Sequence, residues 1–268
     1  MRKVLLDRSI FHRTKFDLLK ASNITDHVKK GKLRVYLTPM FIEETLMHGL
    51  NDKPEFVAHW DFIVSLIGQR WFRLAEEIVS IELGNKVVGP EYYLQPKNRV
   101  RQLIRTVRNF VNDKLSQKEF EETLAEVEQN EQTRQQFRKS RLELRGRVKP
   151  GDYDLDSYFE SNVEWYIENL LVPYHHDSQN FLQTWRANRS QCVYTEQFVK
   201  AWFAAVLVPL RNHQTKVHKN DGADAEQLAF LTWADIMVSD DTRFMKEGFN
   251  LIWGNSQKKL KTLSEFLS

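Results

Sequence analysis

The feature that most constrains the fold is a three-residue apolar run, Ile236-Met237-Val238, with a helix pattern before it and two acids after it. The run is too short for a buried helix and reads as a strand covered on both faces. Before it, Asp224 to Trp233 reads as a helix, with Leu228, Leu231 and Ala234 at helical spacing and Asp224 in the first turn. After it, Asp240 and Asp241 stand where the chain leaves the sheet. A strand buried on both faces implies an α/β sheet, and open α/β sheets bind ligands beyond the carboxyl ends of their strands. The same aspartates serve equally well as helix caps, so other acids must share their location before they mean more.

The N-terminal segment supplies them. Lys3–Leu6 reads as a first strand with Asp7 at its carboxyl end, and Leu33–Leu37 as a second. Residues 9–30 between them read as one or two helices, with a turn at Gly31. Thr38 suits an N-cap and Pro39 the first helical position, which puts Glu43 and Glu44 in the second turn of the next helix. Residues 54–83 continue as helix, with Trp60 and Trp71 expected in the core.

Gly84–Pro96, with two glycines and two prolines, breaks the pattern. It divides a core of residues 1–83 and 211–268 from a helical insertion, or cap, of residues 84–210 within one domain. Lys97–Leu115 predicts an amphipathic helix, with Val100, Leu103, Ile104, Val107 and Val111 on one face. Lys97, Arg101, Arg105 and Arg108 fall within about 80° of one another. Such a row can follow a phosphate backbone, or it can be a solvated flank. Ser116–Arg147 predicts a long helix, acidic in its first half and basic in its second (Arg134, Arg138, Lys139, Arg141, Arg145), an order that suits the helix dipole. Residues 155–210 resume an aromatic helical pattern. Arg211–Asn220 reads as a polar link, Asn250–Trp253 as a further strand and Leu260–Leu267 as a closing helix.

Charge is uneven. Residues 97–149 hold 14 Lys/Arg against 8 Asp/Glu, so of the net +3 the remainder of the chain carries −3. A basic middle in an acidic frame suits a protein that holds a cation in one place and a polyanion in another. Cys192 is the only cysteine, which excludes an intramolecular disulfide and a thiolate metal site. His175-His176-Asp177 lacks the spacing that sets two histidines on one helix face, so zinc is not expected there. No apolar run spans a bilayer, and the opening residues reach a charge too soon for a secretory leader; a reducing cytoplasm is expected, with no membrane partner.

Carboxylates that converge repel one another, and a hard divalent cation with oxygen ligands removes the conflict. The residues then resemble the PIN-domain nucleases. The resemblance rests on Val4-Leu5-Leu6-Asp7-Arg8-Ser9, on Glu44 six residues after Thr38 and followed by Thr45-Leu46, and on Asp224 followed by Ser239-Asp240-Asp241-Thr242-Arg243-Phe244. It covers roughly residues 1–50 and 220–268, whereas the intervening stretch of about 170 residues departs from the small members of the family.

The resemblance implies a PIN-like three-layer α/β fold with a short central parallel sheet flanked by helices. It implies that Asp7, Glu44, Asp224 and Asp241 bind one or two Mg²⁺ or Mn²⁺, and that Ser239 hydrogen-bonds within the site. Asp221 and Asp240 are the substitutes if the register is off. The implied activity is metal-dependent endoribonuclease cleavage by a metal-activated water, with the Lys97–Arg108 row guiding RNA. A structure-specific DNA nuclease and a non-catalytic protein-interaction scaffold are the alternatives. An inhibitory protein partner, as in toxin–antitoxin pairs, and a homodimer belong to the same set of expectations.

Overall fold

A computed structural model describes residues 1–12, 14–49, 52–67, 70–84, 88–95, 98–171, 180–241 and 243–268. Lys97 and the His175-His176-Asp177 run lie outside the described residues. The elements in chain order are β1 (Arg2–Leu6), α1 (Thr14–Ala21), α2 (Ile24–Lys29), β2 (Leu33–Tyr36), α3 (Pro39–Gly49), α4 (Lys53–Ile67), α5 (Ala75–Leu83) and α6 (Pro90–Tyr93). There follow α7 (Asn98–Val111), α8 (Gln117–Arg147), α9 (Leu155–Tyr166), α10 (Phe181–Asn188), α11 (Val193–Arg211), α12 (Asp221–Phe230), β3 (Ile236–Val238), α13 (Phe244–Trp253), β4 (Lys259–Lys261) and α14 (Leu263–Leu267).

The four strands form one parallel sheet in the order β2-β1-β3-β4. Alternation along the strands sorts side chains to the two faces. Leu5, Tyr36 and Met237 enter one apolar core. Val4, Leu6, Val35, Ile236 and Val238 enter the other. Helices cover both faces, so Val4–Leu6 of β1, Val35 and Tyr36 of β2 and all of β3 are buried, unlike the edge strand β4. There Lys259 and Lys261 flank Leu260, and edge lysines of this kind discourage pairing with another chain.

The chain leaves β1 toward β2 on one side and later returns to β3 on the other side of β1. The order therefore reverses between β1 and β3, whose carboxyl ends frame a switch-point crevice. Backbone hydrogen bonds carry the ladder past the strand ends and set that frame. Asp7 N–H donates to the Val238 carbonyl at 3.0 Å, and Ser239 N–H to that of Lys261 at 2.9 Å.

Several local readings change. Asn250–Trp253 is the last part of α13 and not a strand. A short apolar run does not distinguish the two by itself; here Met245, Phe249 and Trp253 bury one helical face, and the Trp253 indole donates to the Leu228 carbonyl at 3.0 Å. The last strand is Lys259–Lys261, and the closing helix begins only at Leu263, where Thr262 and Glu265 form a capping box. Residues 54–83 form two helices, because the chain between them pairs Trp71 with Leu37 in a parallel bridge. Gly31 takes φ +67°, a left-handed turn that glycine adopts without strain.

Helices from residues 84–210 pack into both cores. Val100, Leu103 and Val107 of α7 lie in the same core as β1 and α3. Phe198, Ala201, Ala205 and Val208 of α11 lie in one core with Leu5, Met237 and Leu228. The buried Glu82 carboxylate anchors the start of α11, accepting from Tyr194 N–H at 3.0 Å and Thr195 N–H at 2.7 Å, at the helix end that favours an anion.

The 31-residue α8 begins with a Ser116/Glu119 capping box and at about 1.5 Å per residue runs about 46 Å. Arg134, Arg138, Arg141 and Arg145 share one face of it, within about 60° at 100° per residue. Three of them fasten to the 212–220 link. Arg138 donates to the Val217 carbonyl at 3.0 Å, Arg145 to the Thr215 carbonyl at 2.9 Å, and Arg141 to the His218 carbonyl at 3.4 Å. Among the described residues no helix is long and apolar enough to cross a membrane.

Candidate active site

Asp7 stands at the carboxyl end of β1, 4% exposed. Its carboxylate caps the 3₁₀ turn Arg8–Phe11, accepting from Arg8 N–H at 2.7 Å and Ser9 N–H at 3.4 Å. Two hydroxyls also donate to Oδ2, Ser9 Oγ at 2.5 Å and Ser239 Oγ at 2.7 Å. Ser239 follows β3 and is 3% exposed; its oxygen accepts from Asp241 N–H at 3.1 Å. Ser9 Oγ accepts in turn from Asp240 N–H at 3.0 Å. These serines lock the two strand ends into one polar knot.

The other acids approach from helices. Glu44 comes from α3, entered through Pro39 with the Thr38 hydroxyl accepting from Phe41 N–H at 3.3 Å. Asp224 comes from the first turn of α12, 8% exposed. Burial pushes the Glu44 carboxyl up to about 8, with Asp7 adding to the rise and Arg134 and Arg8 opposing it. Asp224 is held well above the ordinary range, by burial first and then by Asp7, Glu44, Asp241 and Asp221 in that order. Asp241 behaves differently. Burial raises it, but the hydrogen bonds from Arg243 outweigh burial and hold it below its ordinary value. Arg243 grips that carboxylate from its backbone N–H at 2.9 Å, from Nε at 3.0 Å and from Nη2.

Asp224 thus lies within the fields of Asp7, Glu44 and Asp241, and Glu44 within that of Asp7. Asp221 and Asp240 are committed elsewhere. Asp221, 2% exposed, accepts from Arg141 Nη2 at 2.7 Å and from His218 N–H at 3.0 Å. Asp240 accepts from Leu263 N–H at 2.9 Å and pairs with Lys15 at 3.0 Å.

A set of four carboxylates, with no sulfur or imidazole among them, has the donor chemistry of a Mg²⁺ or Mn²⁺ site. Among the described residues, however, no three Asp, Glu, His or Cys side chains are close enough as they stand to hold a metal ion together. Mg²⁺ commonly binds through one or two protein carboxylates and keeps several waters.

No match was found to any model of a known protein family, to any curated protein or to any solved structure.

The cationic row is less one-sided than its spacing implies. Arg101, Arg105 and Arg108 are exposed on α7. Arg101 and Arg105 line a groove of about 880 Å³ between α7 and α8. Glu119, Glu122 and Glu126 line the same groove, and Arg105 lies close enough to Glu119 to help lower its carboxyl pKa.

Three residues of the site, Arg8, Ser9 and Arg243, are not among those that the sequence singles out. Ser9 and Arg8 follow Asp7 directly; Arg8 is largely desolvated, and its Nη2 lies 3.2 Å from His59 Nδ1. Arg243 sits two residues after Asp241, at the spacing of a local clamp.

Proposed function

We propose that this chain is a metal-dependent phosphodiesterase that cuts RNA, built on a PIN-like α/β core. The observation that carries the reading is the buried Asp224 in the fields of Asp7, Glu44 and Asp241, beside a switch point of the sheet. Four acids with competing structural uses would neutralise themselves in separate ion pairs, as Asp221 and Asp240 do. Two of these instead remain desolvated and raised, which is a costly arrangement unless a cation is to be bound.

Each side chain has a part. Asp7, held by two serine hydroxyls and two N–H groups, is a fixed anionic ligand. Glu44, near 8, can hold or move a proton close to neutral pH. Asp224 carries the proton that a cation would displace. Arg243 orients Asp241. A bound Mg²⁺ or Mn²⁺ would supply Lewis acidity and a bound water more acidic than bulk water.

Cleavage of labelled RNA with Mg²⁺ or Mn²⁺ tests this, with Asp7→Asn and Asp241→Asn beside the wild type. Loss in both variants supports the assignment, and equal cleavage by all three proteins rejects it. Competition by DNA oligonucleotides of the same sequence at fixed salt decides the sugar. The Arg243 clamp on Asp241 favours a second reading, a non-catalytic interaction scaffold whose acid is permanently paired. That reading predicts no thermal stabilisation by Mn²⁺.

A further inference from the structure

Among the described residues, Asp241 is the only one of the four rim acids that stands in an ion pair. Arg243 takes both of its oxygens. The Arg243 backbone N–H at 2.9 Å and Nε at 3.0 Å donate to Oδ1, and Nη2 donates to Oδ2. Asp7, by contrast, is held by neutral N–H and hydroxyl donors. The Arg243 side chain is 54% exposed and that of Asp241 12%. The guanidinium therefore has room to swing into solvent, while Asp241 stays fixed through its N–H on Ser239 Oγ.

The far side of the guanidinium is anchored. Its Nη1 lies 3.3 Å from His218 Nδ1. A guanidinium only donates, so Nδ1 accepts and the imidazole is the neutral tautomer with its hydrogen on Nε2. The backbone of His218 is held in turn. Its N–H donates to the buried Asp221 at 3.0 Å, and its carbonyl accepts from Arg141 Nη1 at 3.4 Å. A continuous run of bonds thus joins α8 through His218 to Arg243 and the rim. Two oxygens that a divalent ion would use are already filled by a cation of the chain itself. No three Asp, Glu, His or Cys side chains among the described residues can hold an ion together as they stand.

We propose that Arg243 is a reversible latch on the acid rim, anchored by His218, which fills the Asp241 carboxylate until a divalent cation takes its place. His218 is then a positioning residue that acts through Arg243. The proposal rests on the metal-dependent reading, and it replaces a permanent pairing of Asp241 with a competition between two cations for one carboxylate.

Two measurements test it. In protein with isotopically labelled arginine and histidine, the Arg243 Nε–H and His218 ring resonances are followed by NMR as Mg²⁺ is added. Mn²⁺ affinity is measured by calorimetry in wild type, Arg243→Gln, Arg243→Lys, His218→Ala and His218→Asn, with circular dichroism melts to establish folding. At Mg²⁺ saturation the Arg243 Nε–H should lose its protection from exchange, and the His218 ring should shift with it. Arg243→Gln should bind Mn²⁺ about tenfold more tightly, because one charge-assisted contact no longer has to be broken. Arg243→Lys keeps the charge and loses the fork, so it should show part of this gain. His218→Ala releases the far side of the guanidinium and should tighten binding by about threefold. His218→Asn, whose carbonyl oxygen can accept in place of Nδ1, should restore the wild-type value. If His218→Ala does not fold, the Arg243 variants and the wild-type resonances decide.

An Arg243 Nε–H signal unchanged in wild-type protein saturated with Mg²⁺ overturns the latch and leaves the metal reading standing. Wild-type affinity in Arg243→Lys beside a gain in Arg243→Gln also overturns it, in favour of net charge alone. A lowered melting temperature in His218→Ala with unchanged Mn²⁺ affinity overturns the anchor, since a merely structural role predicts that result. Mn²⁺ binding by Arg243→Gln and not by wild type upholds the latch. Binding by neither protein removes the metal reading, and the latch with it.

Discussion

The Ser239 hydroxyl donates to Asp7 Oδ2 over 2.7 Å, joining residues 232 positions apart in the chain at the ends of two neighbouring strands. The same oxygen accepts from Asp241 N–H, so one side chain sets the spacing of two rim acids. The crevice is defined by that link as much as by the backbone ladder.

Ser239→Ala should therefore destabilise the fold by about 1.5–3 kcal/mol, the range for a hydrogen bond to a charged group, and leave the Asp241 N–H without its acceptor. Urea unfolding measures this. A loss under about 0.5 kcal/mol would mean that water replaces the hydroxyl at no cost.

Stability should fall as pH rises from about 4.5 toward 8 in protein without divalent cation. Unfolded, Glu44 loses its proton near 4.5, whereas folded it keeps the proton to about 8. In that window the folded state binds more protons, so unfolding becomes easier with rising pH, by at most about 1.4 kcal/mol per pH unit for one such group. Asp224, raised well above its ordinary value, acts in the same direction. Glu44→Gln and Asp224→Asn should each flatten the curve, as measured by urea midpoints between pH 5 and 9. A wild-type curve that rises through this window would contradict the desolvated, protonated state.

Divalent binding should release protons, because Glu44 and Asp224 must ionise to serve as ligands. Calorimetric titration of Mn²⁺ at pH 7 should give enthalpies that differ between phosphate and Tris buffers in the wild type and less so in Asp224→Asn. Mn²⁺ at about a hundred times its dissociation constant should also stabilise the wild type by about 2.7 kcal/mol. Buffer-independent heats would show that these protons are not displaced.

The pair Arg141–Asp221 is 3% and 2% exposed and ties α8 to the start of α12. Asp221→Asn should cost about 3–5 kcal/mol by leaving a buried guanidinium uncompensated, and Arg141→Met with Asp221→Leu should recover much of the loss. Thermal melts compare the three. A double variant no more stable than the single one would mean that Asp221 acts mainly by accepting from His218 N–H.

What depends on a few neighbouring residues was legible in the chain itself. β1, β2 and β3 are short apolar runs, Thr38-Pro39 starts α3 by its cap and fixed φ, and Ser116 with Glu119 starts α8. The positions of Asp7, Glu44, Asp224 and Asp241 beyond strands or in first and second helical turns followed from the same local patterns. Tertiary structure decided everything that joins distant segments. It put Ser9 and Ser239 on one carboxylate, withdrew Asp221 and Asp240 into other bonds, and balanced Arg101 and Arg105 against the acids of α8. It also made Asn250–Trp253 helical and Lys259–Lys261 a strand, against their apolar content. The physical reason is that propensity and periodicity act over one or two turns of chain, whereas desolvation and charge pairing depend on which surfaces the packed sheet and helices bring together.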